Sequence, residues 1–161
     1  MRWLIMIVAL VGLVAAVLAL REHYRTGASP CSINEKWDCG TVNKSDYAVL
    51  GGLFEDTGPD AQPSLLQRKF PKIANIPVAD IGIAGYMLLA LLAWKRWWYV
   101  LAPTALAALA FSLYLAHVEK DVLGVWCVYC VISLAAISLI ALLAVVQAIV
   151  RLVRRPPAEP A

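Results

Sequence analysis

Four cysteines carry the chemistry open to this chain. Two of them form a C-x-x-C, Cys127-Val128-Tyr129-Cys130. On a helix, thiols at that spacing face one another and can close a small disulfide ring. Near a helix N-terminus the backbone dipole favours the thiolate, the attacking species in thiol–disulfide exchange. The other two, Cys31 and Cys39, are separated by seven residues in the segment CSINEKWDC. The same residues have blander readings. Cysteines in an apolar helix can be small buried hydrophobes, and a pair in an exported loop can be a plain structural disulfide. Four soft ligands could bind zinc or copper(I), although a second C-x-x-C is missing and His117 is the only histidine near the first.

The elements that must position these residues belong to a membrane fold. Of 161 residues, 61% are hydrophobic and 16% are charged, against about 45–50% and about 25% in an ordinary soluble domain. A small soluble domain has too much surface to hide that much apolar material, which excludes a soluble enzyme, a disordered tail and a nucleic-acid binder. Four apolar runs predict helices over about 3–20, 77–94, 99–116 and 122–150, each near the ~20 residues needed to span a bilayer. The expected fold is all-α, an integral membrane four-helix bundle with a long extracytoplasmic loop, 21–76, between helices one and two. Residues 1–155 form its single domain and 156–161 a tail. The first run is read as an uncleaved span, because Leu18-Ala19-Leu20-Arg21 is a poor cleavage site for a signal peptide. Within the loop, Tyr47–Phe54 and Ser64–Phe70 read as short helices, and His117–Asp121 reads as a polar link between spans.

Charge then orients the bundle. One side carries Arg2, Lys95, Arg96, Arg151, Arg154 and Arg155 with Glu159 as its single acid; the other carries the remaining eight basic and ten acidic residues. Basic residues at helix ends favour the cytoplasm, so both termini and the Lys95–Trp98 turn are expected there. All four cysteines then face a periplasm or lumen, where disulfides form and persist. Two dithiol pairs at different depths can pass electrons by exchange. The loop pair would meet a soluble protein, and the helix pair a two-electron oxidant dissolved in the bilayer, a quinone.

Several stretches together resemble the vitamin K epoxide reductase family in its bacterial single-domain form. They are REHYR at Arg21–Arg25, the loop pair Cys31 and Cys39 with Ser45 beyond it, IPVADIGIAGY entering the second helix, SLYLAH at Ser112–His117 and WCVYC at Trp126–Cys130. The resemblance covers about residues 3–150. Its order, loop pair after the first helix and C-x-x-C at the start of the last, differs from that of the analogous DsbB-like proteins. The resemblance implies a membrane thiol oxidoreductase that moves electrons from a thioredoxin-like dithiol to a quinone and so supports disulfide formation. It implies that Cys130 lies against the quinone and Cys127 is its disulfide partner. Cys39 attacks the Cys127–Cys130 disulfide, Cys31 receives electrons from the partner, and Ser45 shuttles or positions the loop. The chain ends in RRPPAEPA without a fused thioredoxin-like domain, so a separate thioredoxin-fold (DsbA-like) partner and a monomer in the lipid bilayer are expected.

Two departures bear on the acceptor. The animal enzymes have a tyrosine where this sequence has Leu134, and an asparagine where it has Val78 or Ala79. Those groups are associated with the vitamin K head group, so a plain quinone (ubiquinone, menaquinone or phylloquinone) is expected in place of the epoxide. The stretch Gly52–Asn75 is also longer than the family usually needs. Trp126, Tyr129, Tyr86, Phe111 and Tyr114 are candidates to wall the quinone site, and Asp80 and His117 to supply protons to it. No metal is expected. The competing readings are epoxide reduction proper, and a membrane scaffold or soft-metal binder whose cysteines are structural.

Overall fold

The computed structural model describes residues 1–54 and 68–153. Among them, all regular structure is helical, and β pairing is limited to isolated bridges. Helix α1 (Arg2–Tyr24) is followed by the short α2 (Cys39–Lys44), 3-10 turns at Asp46–Ala48 and Gly52–Phe54, and α3 (Pro71–Ala74). Three long helices complete the chain: α4 (Val78–Lys95), α5 (Trp98–His117) and α6 (Val128–Val153). Four helical stretches are long and apolar enough to cross a membrane: Arg2–Tyr24, Val78–Lys95, Trp98–Leu123 and Val128–Val153. The all-α, four-span reading therefore stands. The expected Ser64–Phe70 helix lies largely outside the described residues, as does most of the Gly52–Asn75 segment. Tyr47–Phe54 forms the two 3-10 turns in place of one helix.

Helix α1 packs against α4 and α6, and α5 against α6. Small residues make this possible. Ala9, Gly12, Ala16 and Ala19 recur at helical spacing on the buried face of α1, which lets neighbouring backbones approach as they do in membrane bundles. Gly12 makes room for the Tyr86 ring of α4: a Cβ there would overlap the ring and force it to move. Ile5, Leu89, Leu101, Ile137 and Ile140 fill the centre. Outside, Ile7, Leu10, Val14, Leu91, Leu142 and Ile149 stay exposed, as suits a surface solvated by lipid.

Two boundaries differ from the sequence expectation, and both shape the site. Helix α1 continues past its apolar run through Arg21–Tyr24, where His23 Nδ1 donates to the Asn43 carbonyl of α2 (2.5 Å). The expected polar link at His117–Asp121 is instead helical. The chain leaves α5 through a wide π-helical turn, Val118–Leu123, and stops at Gly124, whose φ of 67° is one that glycine adopts freely. The last helix consequently starts at Val128, not at 122, and the C-x-x-C straddles its N-terminus.

Candidate functional site

Asp38 organises the loop half of the site. Its Oδ1 accepts from the Gly40 N–H (2.9 Å) and from the Ser32 hydroxyl, and its Oδ2 from the Thr41 hydroxyl (2.6 Å). This is an N-cap, and it starts α2 with Cys39 as its first residue. The Ser32 hydroxyl, and after it that of Thr41, hold the Asp38 carboxyl below the usual carboxylate range, because both donate to the charged form. The same loop is stitched to the segment that carries the C-x-x-C. Trp126 donates its N–H to the Lys36 carbonyl (2.8 Å), and Asp38 donates its own to the Trp126 carbonyl (3.0 Å). The Trp37 and Trp126 rings lie 6.4 Å apart.

Cys31 and Cys39 are joined as a disulfide, and Cys127 and Cys130 are free thiols. Cys31, Cys39 and Cys127 share one buried cluster with Val42, and Cys130 packs against its edge. Cys39 and Cys127 have no solvent exposure, whereas Cys31 keeps 7%, so Cys31 is the one of the three that reaches the surface. Asn43 bridges the two halves: its Nδ2 donates to the Cys39 carbonyl (2.9 Å) and to Cys127 Sγ (3.4 Å). Cys127 immediately precedes α6. A hydrogen bond from the Cys130 thiol holds the Cys127 thiol below its ordinary value, assisted by the Cys130 backbone N–H and Asn43, while burial and the Glu119 charge act the other way. The Cys127 N–H donates to Glu119 Oε2 (3.1 Å), and the Val125 N–H to the Glu119 carbonyl (3.2 Å).

Beneath this cluster lies a predominantly apolar cavity of about 260 Å³, walled by α1, α4, α5 and α6. That is just below the ~300–1,000 Å³ usual for small-molecule sites. Cys130, Trp126, Tyr129, Tyr86, Phe111 and Leu134 line it, and Ser45 closes it from the loop side. The Ser45 hydroxyl donates to the Val42 carbonyl (2.8 Å) at the end of α2. Tyr86 is turned into the bundle, its hydroxyl donating to the Ser133 carbonyl (2.8 Å). Val78 and Ala79 also line the cavity. The walls suit a flat apolar ring with a few polar edges, and the one cavity-lining thiol belongs to Cys130.

Three candidates are not brought to the cavity. Tyr114 is 43% exposed and donates to the Leu53 carbonyl (3.1 Å). His117 points outward, paired with Asp121 at 2.6 Å, and Asp80 is absent from the lining. The structure adds three residues that sequence reasoning passed over. Asn43 and His23 could have been sought as polar residues near a cysteine and at the end of a span. Glu119 carried no such signal, because it sits in a charged run. Among the described residues, no group of three or more His, Cys, Asp or Glu side chains is arranged to hold a metal ion.

Comparison with known proteins gives one family. The model of the vitamin K epoxide reductase family matches residues 3–146 of the chain. No curated protein matches it.

Proposed function

The chain belongs to the vitamin K epoxide reductase family and is a membrane redox protein, and we propose that it is a thiol oxidoreductase that oxidises a thioredoxin-fold partner and reduces a membrane quinone. One observation carries the reading. Cys127 lies in the cluster of the loop disulfide, while Cys130, one helical turn on, lines an apolar cavity between the spans. A C-x-x-C set between those two environments can exchange with a water-soluble dithiol on one side and meet a lipid-soluble acceptor on the other.

The residues divide accordingly. Cys31, the more accessible of its pair, takes electrons from the partner. Cys39 passes them to Cys127 through a mixed disulfide, and Asn43 holds the two segments in register. Cys130 delivers the pair of electrons in the cavity, where Tyr86, Phe111, Tyr129 and Leu134 exclude water and hold the acceptor ring. A bound quinone supplies the two-electron sink. The partner then carries disulfides into exported proteins. With Leu134, Val78 and Ala79 presenting no polar group to the cavity, a plain quinone suits it better than an epoxide. The cysteines face the extracytoplasmic side and the termini the cytoplasm, following the excess of bases at Arg2, Lys95, Arg96 and Arg151.

Purified protein given a reduced DsbA-like partner and a short-chain ubiquinone should form quinol. Cys130→Ala should abolish that turnover, while the Cys39–Cys127 mixed disulfide accumulates in non-reducing peptide maps. Quinol formation that survives Cys130→Ala would rule out the relay as drawn.

A further inference from the structure

Two carboxylates are buried among the described residues, Glu22 and Glu119. Glu22 does not line the cavity; Glu119 does, at 4% exposure and beside Cys130. Its Oε2 accepts the Cys127 N–H (3.1 Å), and the residue lines the same cavity as Cys130. Taking an ionisable group out of water costs several kcal/mol unless it is well partnered. Glu119 is placed there by the π-helical turn, which carries the chain inward beyond His117. Its carboxylate thus meets the first cysteine of the C-x-x-C and lies on the wall of the cavity that the second cysteine lines.

We propose that Glu119 is the catalytic proton carrier of this site, taking the proton of the Cys130 thiol and giving it to a quinone oxygen. This rests on the quinone reading above. The balance is complete. The two thiols lose two electrons and two protons, two S–H bonds break, and the Cys127–Cys130 S–S bond forms. The quinone gains both electrons and both protons and leaves as hydroquinone. One proton travels by Glu119, which ends as the carboxylate it began as; the other is that of Cys127, exchanged through solvent. The other titratable groups lining the cavity are His23 from α1, Tyr47 from the 3-10 turn, Tyr86 from α4, and Tyr129 and Cys130 from α6. On its own turn Glu119 is flanked by the exposed His117–Asp121 pair and by exposed Lys120. His23 is bound to the Asn43 carbonyl, which leaves Glu119 as the carboxylate that meets the thiol.

Two measurements on the full chain in detergent test this. In a Cys127→Ser background, where Cys130 is the one free thiol, alkylation by N-ethylmaleimide is followed by mass across pH. With Glu119 the rate should level off once the carboxylate is ionised. Glu119→Gln keeps an acceptor for the Cys127 N–H but cannot take a proton, so its rate should climb about tenfold per pH unit. Glu119→Asp should restore most of the plateau. A Gln profile that matches the parent would overturn the proposal. In the second measurement, dithiothreitol drives reduction of a short-chain ubiquinone. Glu119→Gln should lower kcat about 100-fold, within the ~10²–10⁴ of general acid–base catalysis, with KM unchanged within about twofold. Equal losses in the Asp and Gln variants, or a loss confined to KM, would mark Glu119 as merely structural. Wild-type protein that reduces no quinone would sink the function proposed above and the delivery step with it. Active wild type with an equally active Gln variant would sink the Glu119 assignment alone.

Discussion

Asn43 ties the two cysteine pairs together through a single side-chain amide. At 7% exposure, its Nδ2 has two acceptors, the Cys39 carbonyl and Cys127 Sγ. Asn43→Ala leaves the carbonyl without that donor, a loss worth about 1–3 kcal/mol for a buried group. It also removes one of the donors that favour a Cys127 thiolate. The sign is fixed by what remains. The Cys130 thiol still donates, but burial and the Glu119 charge are less fully opposed, so the Cys127 pKa rises. In wild type the pH midpoint for alkylation of Cys127, read by peptide mass, should fall below that of an ordinary thiol, and in Asn43→Ala it should move up. Exchange with the loop pair should slow in step, because Cys127 leaves the Cys39–Cys127 mixed disulfide as a thiolate and a thiol of higher pKa leaves more slowly. An unmoved midpoint would mean that Asn43 only packs. The four cysteines were legible from type and spacing alone. Asn43 was not, because its importance lies in a contact 84 positions along the chain.

At the scale of elements, the site depends on short pieces whose caps matter more than their length. Helix α2 has six residues, too few to stand without its cap and its neighbours. Its cap is Asp38, whose folded pKa lies below the ordinary value. A depressed carboxylate contributes stability that is fully present above the unfolded value, about 3.9, and is lost as pH falls through the folded one. Hydrogen-exchange protection of the α2 amides should therefore be flat from neutral pH to about 5 and fall below about 4. Asp38→Asn should keep the cap and lose the acid dependence. Asp38→Ala should cost about 1 kcal/mol near neutral pH and less as pH falls, because wild type loses the same contribution in acid. Acid-sensitive protection that persists in Asp38→Asn would assign the effect elsewhere. The spans could be read from the sequence because a long uncharged run has few options besides a membrane helix. Helix α2 could not, since CGTVNK has no apolar period that separates it from a loop. The burial of Glu119 was hidden for a different reason. In His117–Asp121 the pattern reads as a solvated link, and the π-helical turn buries one of its two acids, Glu119, while leaving Asp121 exposed.

For the whole molecule, the proposed chemistry has a direction, and the charge distribution supplies it. The helical connection at Lys95–Arg96 is nearly as tight as a chain can make: Arg96 itself adopts φ 59°, and α5 begins at Trp98. Arg2 stacks over Trp3, which meets Trp94, and Arg151 stacks over Trp98. These aromatic–cation sets gather at the bundle end opposite the cysteines, as interfacial anchors would. If that end faces the cytoplasm, a green fluorescent protein fused after Val153 should fluoresce in a bacterial inner membrane. Alkaline phosphatase inserted after Gly27 should be active outside. Lys95→Gln with Arg96→Gln should weaken the bias by removing two of the basic residues at that end, raising the inverted fraction without changing the helices. Inversion matters because the relay needs its loop disulfide in the oxidising compartment. In the reducing cytoplasm Cys31 and Cys39 would stay as thiols and the partner would have no exported dithiol to bring. Phosphatase activity from the C-terminal fusion, with a dark fluorescent fusion at the same position, would reverse the orientation and take the export role away with it.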